Sequence, residues 1–426
     1  MPFGGSRRLV GLGFGPIQAG LFVYEAQRTG AYAPPFIVDV SADLVAALRA
    51  AGGHVDLNIA HHDRIERGGL GALEVADSSV AEERARIVAA IAQADELATA
   101  LPSVAAYRSD AVSSPHRLIA EGLALRARNV PLLVLCAENH RDAAALLEAA
   151  VLDAVGTAER DRLRDRVRCV DTVIGKMSGI VDDPAEVRAL GLAPITPALD
   201  SAFLVEVYDR ILVSRAEPAD GRTVHPGMPV LREVDDLAPF EDAKLLGHNA
   251  IHAIAGFLGV LLGLHRMADM RDVPGFAAFL RSAFIEESGQ ALIARHGGAD
   301  PLFTPEGFAA FADDLLARMV NPYLADTMER AARDPVRKLD WDDRLIGLIR
   351  LGLAEGVPTP RVAMGAAAGL EILSRRGDPV EQLEELARLW PAHADAGESR
   401  AVQALVAEGI AALAAWRREG FAGLGG

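Results

Sequence analysis

The stretch Arg8-Leu9-Val10-Gly11-Leu12-Gly13-Phe14-Gly15-Pro16-Ile17-Gln18-Ala19-Gly20 restricts the fold more than any other part of the chain. A short apolar strand enters a glycine-rich turn and leaves as the apolar start of a helix running towards Arg28. Such a turn cradles phosphate when glycine stands where the backbone must approach a pyrophosphate, and when the next helix offers unpaired N–H groups and its positive dipole end. Gly13 and Gly15 supply the glycine pair, and Pro16, Ile17 and Gln18 open the helix. The third glycine of the G-x-G-x-x-G pattern would fall at position 18, which is Gln, so the turn alone is a weak motif.

The second strand strengthens it. Phe36-Ile37-Val38-Asp39-Val40 is an apolar strand carrying one acid near its end, 26 residues after Gly13. A carboxylate there accepts both adenosine ribose hydroxyls and repels the 2′-phosphate of NADP, so Asp39 argues for NAD. The competing role for Asp39 is to cap a helix over 43–50. Alternation then continues, with a strand over 55–60, a capping box at Ser79 and Glu82 opening a helix to about Gln93, and a strand end at 96–100. Ser114-Pro115 reads as an N-cap with proline at the first helical position. Residues 131–137 form a continuous apolar strand, expected where a parallel sheet is buried on both faces. The β-α-β order implies a Rossmann-like doubly wound sheet with ligands at the strand C-terminal ends, which puts Glu138 and Asn139 beside a ligand.

After 167–171 and a Pro/Gly/Asp-rich segment at 182–197 the character changes: 203–215 is mixed with strand character, and from Phe240 to Arg418 the pattern is helical. The expected class is α/β, with a nucleotide-binding domain over 1–195 and a mainly α-helical substrate-binding and catalytic domain over 196–426. A length of 426 residues agrees with two cores. The formal charge of −16 argues against non-specific nucleic-acid binding and against an anionic membrane surface, since both reward basic patches. Two cysteines, Cys136 and Cys169, make neither a disulfide framework nor a Cys₄ zinc site and fit a reducing cytoplasm. Arg7-Arg8 precedes an apolar stretch that glycines and Pro16 break, which reads as a strand and turn rather than an export signal. The apolar run at 253–264 is about half a bilayer span and reads as a core helix.

That run comes directly after Lys244-x4-Asn249-x2-His252. On an α-helix Asn249 would lie about 140° and His252 about 80° around the axis from Lys244, so one face presents an amine, an amide and an imidazole. Each of the three has a plainer role as a capping or solvated residue. His248 and His252, four apart, would suit zinc, but Asn249 stands where a zinc-protease helix carries glutamate and no third ligand is identifiable, so no metal is expected.

These blocks together resemble the polyol-specific long-chain dehydrogenases, the mannitol dehydrogenase family. Lys244-x4-Asn249-x2-His252 matches the family's catalytic motif; Glu286-Glu287-Ser288-Gly289, Asn321-Pro322-Tyr323-Leu324, Pro335-Val336-Arg337-Lys338-Leu339 and Asp343-Arg344-Leu345-Ile346 resemble its C-terminal blocks; Cys136-Ala137-Glu138-Asn139 resembles its strand-end Glu-Asn pair. The likeness is strongest to members acting on mannitol 1-phosphate and spans nearly the whole chain. It implies a metal-independent, NAD-dependent interconversion of an acyclic polyol, or its phosphate, and the ketose. Lys244 would be the general base, Asn249 and Asn139 amide donors to the alcohol oxygen, and His252 the residue orienting substrate. Desolvation beside an apolar helix lowers a lysine pKa in the direction a base requires.

For the rest of the substrate the candidates are Arg330, Arg337 and Lys338, whose plainer role is pairing with Asp326, Glu329 and Asp334 at helical spacing. The chain departs from the family at 170–177, where Gly175 and Lys176 replace an acid and an arginine. This leaves open a non-phosphorylated alcohol or sugar acid such as mannitol, altritol, arabinitol or altronate, and, as another class, a non-catalytic NAD-binding scaffold. No partner beyond a small molecule is expected, in a monomer or small homo-oligomer.

Overall fold

The computed structural model describes residues 6–218, 222–374 and 378–421 and divides into two compact units, Met1–Leu237 and Ala238–Gly426. The first carries all twelve named strands: β1 (Leu9–Leu12), β2 (Phe36–Asp39), β3 (Val55–Ala60), β4 (Ile65–Leu70), β5 (Glu74–Asp77), β6 (Glu96–Thr99), β7 (Leu132–Cys136), β8 (Val167–Val173), β9 (Ser178–Val181), β10 (Ala202–Glu206), β11 (Ile211–Ser214) and β12 (Leu231–Val234). Eight form one sheet in the order β12-β11-β8-β7-β6-β1-β2-β5, parallel from β8 to β5. With β5 as third strand this is the 3-2-1-4-5-6 order of a doubly wound sheet, whose direction of winding reverses beside β1. The glycine turn leaves β1 at that reversal.

Successive strand residues feed opposite cores. In β7, Leu133 and Leu135 join one apolar cluster with Leu9, Phe22 and Phe203, while Leu132, Val134 and Cys136 join another with Val10, Ile87 and Ile119. This is the period-two geometry of a strand covered on both faces, which is why 131–137 is apolar without alternation. The remaining strands make a smaller sheet, β4-β3-β10-β9.

The expected boundary near 195 moves to 237. β10 pairs in parallel with β3, β11 pairs antiparallel with β8, and β12 pairs with β11, so the mixed segment completes sheets begun earlier in the chain. Strand edges with unpaired N–H and C=O groups attract such segments, and composition does not reveal which edge they join. The capping box at Ser79 does not form: Ser79 donates its hydroxyl to Asp77, and a 3₁₀ turn at Ala81–Glu83 precedes the helix Arg84–Gln93.

The second unit is helical, with one isolated bridge, Arg266 to Thr327, among the described residues. Two of its helices bear on the site, α1 (Ala238–Leu261) and α2 (Pro360–Ser374). α1 is 24 residues long and apolar enough to cross a membrane, but 67% of its most apolar window is buried within the protein. It is a core helix: Gly256 lets it approach the helix Met328–Ala332, because an added Cβ would lie 2.6 Å from that of Ala331.

Candidate active site

In the first unit the turn after β1 is held by local bonds. The Gly13 N–H donates to the Val38 carbonyl at 2.8 Å, and Gly13 adopts φ +83°, a left-handed conformation that favours glycine. A Cβ there would lie 2.8 Å from the Ala100 carbonyl oxygen, whereas one on Gly15 would meet nothing within 4 Å. Asp39 reaches across from β2: one carboxylate oxygen accepts from the Phe14 N–H at 2.7 Å and the other from the Ser41 N–H at 2.8 Å. Ser41, not Asp39, caps the helix Ala42–Ala50. Gly13, Gly15, Asp39, Ser78, Pro102 and Leu118 help line a cavity of about 340 Å³.

Two of the expected cofactor residues, Gln18 and Glu138, are buried. Helix begins at Pro16, and Ile17 packs against the apolar core. Gln18 is fully buried in a π-helical segment, Gln18–Val23, and its amide occupies the space that a Cβ on Gly11 would need. It therefore points under the turn rather than out of it. Glu138 is also buried; its carboxylate accepts from the Thr99 hydroxyl and the Leu101 N–H, each at 2.8 Å, and from the Tyr107 hydroxyl. These bonds tie the end of β7 to the loop after β6, so its carboxylate is committed to the protein. Asn139 comes next in the chain, at an exposed position.

In the second unit, Lys244 and Asn249 lie in a π-helical turn, Ala243–Asn249, inside α1. A π turn closes between residues five apart, so Lys244 and Asn249 come to the same side of the helix rather than 140° apart. The turn is wedged: Gly247 faces the Phe284 ring, 3.1 Å from where a Cβ would sit, and the buried Ser288 hydroxyl donates to the Leu246 carbonyl at 3.0 Å. Phe284 and Ser288 belong to a second π turn, Ala283–Gly289. Burial lowers the Lys244 amine to about 8, opposed by the charge of Glu241 and assisted by that of Arg344. His248 lies well below its ordinary range, again chiefly through burial, and its ring meets that of His252 edge-on at 6.3 Å.

The His252 Nε2 lies 2.6 Å from a carboxylate oxygen of Asp326, whose other oxygen accepts from Arg330 at 3.0 Å. Arg337 pairs with Asp334 at 3.4 Å on an exposed turn. Lys338 is buried; its ammonium donates to the carbonyls of Ala331 and Arg333 and lies 5.8 Å from the Phe257 ring centroid. Its geometry is that of a cap on the helix Met328–Ala332, in place of the expected substrate contact. Among the described residues, no three His, Cys, Asp or Glu side chains are placed to share a metal ion.

Residues 236–419 match the family model of the mannitol dehydrogenase C-terminal domain. The match covers nearly the whole of the second unit, Ala238–Gly426. Its fold is similar to Pseudomonas fluorescens mannitol 2-dehydrogenase in ternary complex with NAD and D-mannitol, with TM-score 0.70 and 17% identity over 98% of this chain and 93% of that one. It is likewise similar to a D-sorbitol dehydrogenase in substrate-free form, with TM-score 0.76 and 16% identity over 98% and 94%.

Several residues beside the motif are not signalled by spacing. Arg344, buried and paired with Asp343 at 2.6 Å, supplies the like charge near Lys244 from 100 positions away. Glu287 caps α2, accepting from the N–H groups of Arg361 and Val362 at 2.9 Å each; burial raises its carboxyl to about 7 against those bonds. At the altered family block, Lys176 pairs with Asp209 at 3.1 Å, Asp171 accepts from the Ala144 N–H at 2.7 Å, and nothing in the structure requires glycine at 175.

Proposed function

We propose that the protein catalyses NAD-linked interconversion of an acyclic polyol and its ketose, with Lys244 as general base and without a metal. The observation carrying this is the amine of Lys244, lowered to about 8 and brought to the same side of the helix as Asn249 by the π turn. A base for an alcohol must be neutral near working pH and lie beside a donor that stabilises the developing alkoxide. Lys244 takes the hydroxyl proton, Asn249 donates to the same oxygen, and His252 orients a neighbouring hydroxyl. Asn139 is a further amide candidate. When bound, NAD accepts the hydride.

The first unit is proposed to hold the dinucleotide. The open space over Gly15 suits the approach of a pyrophosphate, and Asp39, beside the 340 Å³ cavity, suits adenosine ribose hydroxyls and disfavours a 2′-phosphate. The second unit is proposed to hold the alcohol. The free thiols Cys136 and Cys169 fit a cytoplasmic setting.

Among polyols, the paired state of the basic residues favours a non-phosphorylated substrate over a 1-phosphate. Arg330 is matched by Asp326, Arg337 by Asp334, and Lys338 by two carbonyls, so a phosphate would have to displace an existing partner. The two similar structures are named for mannitol and sorbitol, both free polyols. The test is NADH formation with mannitol, sorbitol, altritol, arabinitol, altronate and mannitol 1-phosphate. A kcat/KM for a free polyol at least about tenfold above that for the phosphate is expected, the size of effect that one unmet charge contact produces. The reverse order would return the assignment to the phosphate, and NADH binding without turnover on any of them would favour a non-catalytic scaffold.

A further inference from the structure

We infer that Asp326 is a positioning residue for this reaction, fixing His252 as a hydrogen-bond acceptor for a substrate hydroxyl; the inference rests on the proposed polyol dehydrogenase activity. The Asp326 side chain is 1% exposed, and its two oxygens face His252 Nε2 at 2.6 Å and Arg330 at 3.0 Å. Burial alone would raise its carboxyl, but the hydrogen bond from His252 and the charge and hydrogen bond of Arg330 oppose this and hold it below its ordinary range, ionised. An ionised carboxylate only accepts, so His252 must donate from Nε2. In the neutral ring that leaves the lone pair on Nδ1, the nitrogen available to a hydroxyl.

The carboxylate is held rigidly. The Asp326 carbonyl accepts from the Met267 N–H at 3.0 Å, the Met328 N–H donates to the His265 carbonyl at 3.0 Å, and Arg266 bridges to Thr327. Ala325, immediately before it, adopts φ +52°, a left-handed conformation uncommon for alanine. Strained backbone of this kind persists where surrounding contacts enforce it and concentrates at functional sites. An ion pair serving stability alone would need only Arg330; the second oxygen is committed to an imidazole of the family motif.

An accepting Nδ1 selects substrates with a hydroxyl beside the reacting alcohol. Removing that hydroxyl leaves the nitrogen without its donor, so the enzyme discriminates against the corresponding deoxy alcohol. Asp326→Asn can present an amide N–H to Nε2, transfer the ring proton to Nδ1 and lose the acceptor. The expected result is a fall in kcat/KM of about 10- to 100-fold on the preferred polyol, in the range seen when a partner orienting a histidine is removed, with NADH affinity unchanged and the preference over the deoxy analogue collapsed. Unchanged turnover would overturn the inference, and so would an equal loss on both substrates with the preference retained. The tautomer is read independently by ¹⁵N NMR of the wild-type protein: a proton on His252 Nε2 is expected, and one on Nδ1 alone would overturn the inference even if Asp326→Asn failed to fold. Absence of polyol turnover in the wild type would instead refute the reaction while leaving the NMR result to stand by itself.

Discussion

Lys244 keeps an amine in surroundings that disfavour its charge, and the consequence is a pH dependence of definite sign. The neutral form is the active base, so kcat/KM for alcohol oxidation is expected to rise about tenfold per pH unit below its pKa of about 8 and to level off above it. Replacing Arg344 by Met removes the neighbouring like charge, so the midpoint of that profile should move up. A midpoint that stayed fixed or moved down would show that Arg344 does not tune the amine. At this scale the proposed set of Lys244, Asn249 and His252 can be read from the sequence because the three are close together along the chain. Arg344 and Asp326 were not legible as their partners, since only folding brings positions tens of residues apart into contact. Glu138 was misleading for a related reason: a carboxylate at a strand end suits a ligand, but here Thr99, Leu101 and Tyr107 take it.

Among the elements, the π turn at Ala243–Asn249 matters most. Wheel geometry at 100° per residue presumes an α-helix throughout, and the extra residue of a π turn leaves no mark in apolar periodicity. Its companion is visible only in the structure, as a second π turn whose Ser288 hydroxyl holds the Leu246 carbonyl. Ser288→Ala removes that donor. It should cost about 1 kcal/mol in urea unfolding and, by letting Lys244 and Asn249 shift relative to each other, lower kcat by about 10- to 100-fold. A stability loss with kcat intact would show that Ser288 supports the helix without setting the spacing of the pair.

For the whole molecule, the alternation of strand and helix foretold the doubly wound sheet, and β5-β2-β1-β6-β7-β8 places the glycine turn at the reversal where such sheets bind ligands. The domain boundary was not legible, because β10 to β12 complete sheets whose other strands lie far earlier in the chain. The proposed reaction draws on both units, a dinucleotide at the glycine turn of the first and proton removal by the second, so its most direct test separates binding from turnover. In Lys244→Ala, NADH affinity measured by calorimetry should match the wild type while the NAD-linked oxidation rate of the preferred polyol falls by at least about 10³-fold. Retention of full activity in that variant would contradict Lys244 as the base.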